Sequence, residues 1–186
     1  MLRGIAGVEL LLCWVVWWYP FVFRAPHRQK RASITALLPT RIGLLLETIG
    51  IGVAFNFRVP GAAVSSPARM AGGPVLGVIG IVLAWTAVAH LGRQFRIHAG
   101  LYVDHELVRT GPYAVVRHPI YASLLAMLLC TILLLTRWPW PVAALVLYVA
   151  GTEIRVRTED GLLASRFGEE FEAYRRKVPA YIPLVR

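Results

Sequence analysis

HELVRTGPYAVVRHPIY, residues 105–121, sits between two strongly apolar segments yet carries two histidines, two arginines, two tyrosines and a glutamate. Gly111 supplies backbone freedom, and Pro112 fixes φ and removes a donor, so the chain breaks there. Pro119 biases His118 away from the α region, which puts Arg117 and His118 on a loop or at a helix entrance. Pro119 itself suits the first turn of the helix that follows. Polar groups on irregular backbone at a membrane's edge are costly unless they face water, protein or a ligand. The stretch therefore reads as part of a site.

Its flanks set the fold class. Of 186 residues, 57% are hydrophobic and 16% charged, against roughly 45–50% and 25% in an ordinary soluble domain. The chain reads as an all-α, polytopic integral membrane protein. Apolar runs of spanning length predict about five transmembrane helices: residues 5–23, 37–57, 74–91, 120–136, and one from about 141 that continues past Gly151. The first is rich in tryptophan (Trp14, Trp17, Trp18) and no small-residue cleavage site follows it, so it reads as a retained helix. RVPGAAVSSPARMAGG, residues 58–73, reads as a linker. Two spans and this linker make an N-terminal unit, residues 1–75. Three spans, the RHPIY loop and a C-terminal amphipathic helix make a second, residues 76–186. Glu47, set among IGLLLETIGIGVAF, must face the bundle interior; an interhelical hydrogen bond is favoured over a substrate-tunnel role. Gly43, Gly50 and Gly52 would permit close helix approach.

The net charge of +10 falls in blocks between apolar segments, which suits membrane orientation and anionic headgroups better than nucleic acid. Segments 24–39, 92–118 and 153–186 carry four, four and seven Lys/Arg; the other side carries Arg3, Arg58, Arg69 and Arg137, with Arg41 at a boundary. An outside N-terminus and a cytoplasmic C-terminus satisfy this split. Both polar stretches then face the cytoplasm, where a soluble cofactor is found. Cys13 and Cys130 form no CxxC pair, and the five histidines show no metal-ligand spacing, so no metal is expected.

A second polar stretch answers the first. Arg155, Arg157, Glu159 and Asp160 precede RFGEEFEAYRRKVPAYIP, residues 166–183. GPYAVVRHPIY, the Arg155-to-Asp160 step, FGEEFEAY and VPAYIP together resemble the isoprenylcysteine carboxyl methyltransferase family, which is itself similar to the integral-membrane phospholipid methyltransferases. The resemblance covers about residues 92–183; residues 1–75 carry no matching motif. It implies S-adenosylmethionine as cofactor. The implied pocket is His105, Glu106, Leu107 and Val108, then Tyr113, then His118, Pro119, Ile120 and Tyr121. A position seven residues before His105, often Gln in the family, is His98 here, which still donates one hydrogen bond. The family's glutamate after Arg-x-x-x-x is Asp160, preceded by Glu159; either carboxylate is a candidate for the cofactor contact. Arg155 and Asp160 would be the catalytic pair, with Arg155 also binding the anionic group of the substrate.

The chemistry asks little else. Methyl transfer from a sulfonium needs alignment and exclusion of water, plus an acceptor for the cofactor's ammonium and a donor for its carboxylate. The Gly-rich loop of soluble dinucleotide sites is absent, so helix ends must build the pocket. Arg155 lies five residues before Asp160, too far round for an i, i+4 pair, which leaves it to hold something else. A guanidinium suits a carboxylate acceptor and would repel an amine. Arg155 thus favours a carboxylate, and the resemblance implies a lipophilic, isoprenylcysteine-like one entering from the bilayer. An amine headgroup, a nicotinamide-dependent membrane reductase of the steroid reductase type, and a small structural or transport protein are the rivals. His118 as a simple helix cap and Arg117 reaching to headgroups are the structural alternatives for the loop.

Overall fold

The computed structural model describes residues 2–24, 34–35, 37–58, 66–95, 100–101 and 106–183. The apolar runs become helices: α1 (Leu2–Tyr19), closed by a π-helical turn at Pro20–Arg24, α2 (Leu37–Asn56), α3 (Pro67–Leu91), α4 (Pro119–Leu135) and α5 (Trp140–Phe167). A sixth, α6 (Glu169–Lys177), buries Phe171 and Tyr174 and carries Arg175, Arg176 and Lys177 in its last turn, the amphipathic helix expected there. Among the described residues, extended pairing is limited to Ile34–Thr35 against Gly100–Leu101 and a bridge between Arg58 and Thr136.

One boundary differs from expectation. The third helix starts at Pro67 rather than Pro74, so half of the expected linker is helical. Pro67 occupies the first turn, where its missing N–H is no loss, and Pro74 is absorbed inside the helix. The added turn brings Arg69 to the carbonyls of Ile132, Leu133 and Thr136 at 2.7–3.1 Å. These carbonyls lie at the C-terminal end of α4, where intrahelical donors run out, so the contact helps hold the extension in place. The fifth helix runs unbroken through Gly151 to Phe167.

α2 packs on α5, and α3 on α4, while α1 lies against α3 and α4. Gly43 and Gly151 set the first contact: a Cβ on Gly151 would meet the Gly43 carbonyl oxygen at 2.5 Å. Only a side-chain-free face lets the two backbones come so near. Gly50 likewise faces the Ala144 carbonyl, but Gly52 faces open space, contrary to its expected packing role. Two tryptophans tie α1 to α4, Trp14 donating to Thr131 and Trp17 to Ser123, each at 3.1 Å.

Polarity is inverted relative to a water-soluble bundle. Leu11, Leu45, Val75 and Val78 are more than half exposed, whereas Glu47, His118, Arg155 and Asp160 are buried. Residues 38–56 and 67–91 are long and apolar enough to cross a membrane; the apolar stretches 7–23 and 119–135 are shorter.

Candidate active site

The site begins with the turn after Val108. Gly111 adopts φ 59°, as its place before Pro112 suggested, and a 3-10 turn (Gly111–Ala114) follows. Tyr174 of α6 donates to the Tyr113 carbonyl at 2.5 Å. The Arg117 and His118 backbone N–H groups each donate at 2.8 Å to the carbonyls of Pro179 and Ala180. The VPAYIP segment is thus a strap across the RHP loop. His118 precedes α4 at the N-cap position, but its ring makes no cap bond; it points instead to α5.

There it meets two acids. Its Nε2 lies 2.9 Å from Asp160 Oδ1, and its Nδ1 3.4 Å from Glu159 Oε2. Arg117 donates to Asp160 Oδ2 at 2.8 Å and to the Val178 carbonyl. It is therefore locked into the site rather than extended to headgroups. Tyr121 donates to Glu159 Oε1. Burial alone would lower the His118 pKa, but its hydrogen bonds to both carboxylates and their negative charge push it up to about 9. Both carboxylates thus face the imidazole, and Arg117 holds the second oxygen of Asp160. At neutral pH the imidazole is a cation clamped between two anions.

One turn back on α5, Arg155 Nη1 donates to Glu47 Oε2 of α2 at 2.6 Å, and Thr152 donates to the other carboxylate oxygen at 3.0 Å. The Arg155 guanidinium carbon sits 4.8 Å from the centre of the Tyr121 ring. Arg155, left by its five-residue spacing from Asp160 to hold something else, holds Glu47. Glu47 makes the interhelical bonds favoured for it, and it also faces the cavity.

That cavity, about 380 Å³, joins these groups. Of the sequence-derived residues, Glu106, Leu107, Val108, Tyr113, His118, Pro119, Ile120, Tyr121, Arg155 and Glu159 line it. Asp160 does not; it stands behind, against Arg117 and His118. Helical geometry gives the reason. Residues four apart differ by about 40° around a helix and residues five apart by about 140°. Arg155 and Glu159 therefore share one face, and Asp160 turns toward the loop. His98 and His105 lie outside the described residues. Sequence reading missed the far wall: Trp14, Trp17 and Trp18 of α1, Phe21 of the π-helical turn, and Leu44, Thr48 and Ile51 of α2. Their signal was the tryptophan clustering of the first helix, read there only as evidence for a retained span.

The cavity is amphiphilic, charged at one end and aromatic and aliphatic at the other. At its charged end Arg117, His118 and Arg155 line the wall with Glu47 and Glu159, and Asp160 backs Arg117 and His118 from behind. Glu159 can accept from a ligand's ammonium and Arg155 can donate to a carboxylate. A cationic, zwitterionic cofactor therefore fits the donor and acceptor set.

Comparison with known proteins agrees with this chemistry. Residues 74–165 match the model of the isoprenylcysteine carboxyl methyltransferase (ICMT) family. A protein-S-isoprenylcysteine O-methyltransferase of Schizosaccharomyces pombe is 36% identical over 110 residues, 58% of this chain and 46% of the relative. A probable protein-S-isoprenylcysteine O-methyltransferase of Oryza sativa subsp. indica is 33% identical over 118 residues, 61% of this chain and 60% of the relative. The cobalt-zinc-cadmium resistance protein CzcN of Cupriavidus metallidurans is 34% identical over 114 residues, 58% of this chain and 48% of the relative. The chain thus spans about half to three fifths of the length of these relatives.

Proposed function

We propose, from the premise that this chain belongs to the isoprenylcysteine carboxyl methyltransferase family, that it is a membrane methyltransferase acting on a lipophilic carboxylate. The methyl donor is S-adenosylmethionine, and the acceptor is isoprenylcysteine-like. The observation that carries this reading is the pairing of Arg155 and Glu159 on one face of α5, inside a cavity with a charged end and an aromatic wall.

When bound, S-adenosylmethionine supplies a methyl group already activated on a sulfonium. The protein then has to bind, orient and exclude water. Glu159, fixed by Tyr121 and His118, accepts the cofactor's ammonium. Leu107, Val108, Tyr113, Pro119 and Ile120 shape the pocket around it. Asp160 acts at one remove, holding Arg117 and His118 in place. Arg155 takes the acceptor carboxylate, for which its planar fork is suited. A carboxylate is ionised at neutral pH and needs no base. An ammonium would first have to lose a proton, and His118 is held protonated by its acids. That favours the carboxylate over the amine acceptor.

α1–α5 would be the five spans, with the N-terminus outside and the C-terminus and site on the cytoplasmic face, following the Lys/Arg split. The acceptor's lipid chain would enter between α1 and α2, along Trp14, Trp18 and Ile51.

Calorimetry on the purified chain tests the reading. S-adenosylmethionine should bind and NADPH should not. Glu159→Gln should weaken cofactor binding about tenfold to hundredfold, the loss of one charge-assisted bond. NADPH binding alone would favour the reductase. A larger loss in Asp160→Asn than in Glu159→Gln would exchange the roles of the two acids.

A further inference from the structure

We infer that Glu47 of α2 is a positioning residue for methyl transfer: it holds the Arg155 guanidinium in the orientation that receives the acceptor carboxylate. The inference rests on the methyltransferase reading above. Glu47 lies in α2, outside the family-matched residues 74–165, so the acceptor end of the site is built jointly by the matched and unmatched parts of the chain.

Four observations converge on it. Glu47 is 1% exposed in an otherwise apolar helix, a placement that is costly without partners. Both its oxygens are engaged from α5, by Thr152 at 3.0 Å and Arg155 at 2.6 Å. The bond falls where Gly43 and Gly151 bring the helices into contact, so the carboxylate has little room to swing. Glu47 and Arg155 also both line the cavity, which a purely structural pair would not need. An apolar pair of similar volume usually serves stability as well as a buried ion pair does. The guanidinium is thus fixed at one edge by Glu47 and across one face by the Tyr121 ring.

The consequence is separable from stability and from cofactor binding. Glu47→Gln keeps the shape and a hydrogen bond but leaves the site one positive charge richer. The acceptor carboxylate is then attracted no less, while the guanidinium that aligns it is less well held. With S-adenosylmethionine and N-acetyl-S-farnesylcysteine as probes, Glu47→Gln should lower kcat about tenfold to hundredfold, the cost of small misalignment. The acceptor KM should not rise, and cofactor affinity should stay within about threefold, since the cofactor's own contacts are untouched. Thr152→Val leaves every charge in place and should give the same split at about threefold in kcat. Because Glu47 acts through Arg155, its substitution should have little further effect in an Arg155→Lys background. A raised acceptor KM with unchanged kcat would overturn the inference. So would an equal loss in both backgrounds, or full activity in Glu47→Gln. A wild-type chain that binds cofactor but never methylates the probe would instead overturn the acceptor reading, and the inference with it.

Discussion

The two ends of the bundle use arginine in opposite ways. At one end, Arg69 donates to the carbonyls of Ile132, Leu133 and Thr136, Thr136 donates to the Ala54 carbonyl at 2.9 Å, and Phe57 stacks on Trp140 with ring centres 3.5 Å apart. These polar contacts end on backbone, whose acceptors are fixed by the helices that own them. At the other end, Arg117 and Arg155 meet Asp160 and Glu47, carboxylates carried by side chains beside a cavity. A guanidinium spent on carbonyls closes a helix. One paired with a carboxylate keeps a partner that a ligand's anion can imitate.

Three experiments would break or sharpen that contrast. The largest effect should come from pH. His118 has an ordinary value near 6.5 unfolded and about 9 folded. The stability it contributes is complete below about pH 6.5, declines as pH rises, and is gone above about 9, a loss of up to about 3 kcal/mol. Thermal melts from pH 6 to 10 should show that decline, and Asp160→Asn should flatten it. A wild-type melting point that holds constant across this range would mean the imidazole is not clamped as described. Next, Arg69→Leu should cost about 2 kcal/mol, from bonds to a charged donor lost at a helix end. Turnover per folded molecule should be unchanged, and a kinetic defect would erase the distinction between the ends. The smallest effect should be at Arg109 and Glu170, paired at 2.8 Å but about half exposed. Arg109→Ala should shift stability by less than about 0.5 kcal/mol, and a larger shift would mean that the pair anchors the loop to α6.

What could be read from the chain depended on sequence distance. Helices α1, α2, α4 and α5 follow directly from apolar runs bounded by proline and polar residues. α3 did not, because Ser66-Pro67 and Pro74 carry equal turn signals, and only the reach of Arg69 to α4 discriminates between them. The RHP loop and its acids were legible because Gly111, Pro112 and Pro119 dictate irregular backbone locally. That Glu159 faces the cavity and Asp160 turns away was also available, from their spacing to Arg155. Glu47 and Arg155 are 108 residues apart; no periodicity joins them, and only the packing of two glycine-bearing helix faces does. The tryptophan wall was hidden for another reason: at a membrane, aromatic residues signal an interface and a pocket alike.

The strap sets an order of events in synthesis. Arg117 waits for Val178, made 61 residues later, with all of α5 and α6 between them. At about 5–20 residues per second the ribosome needs roughly 3–12 s to deliver that partner. Until then a loop rich in charge stands at the mouth of a nascent bundle without the carbonyls of Pro179 and Ala180. Helices α4 and α5 are therefore made before the strap can close over the RHP loop, and that closure waits for residues at the far end of the chain.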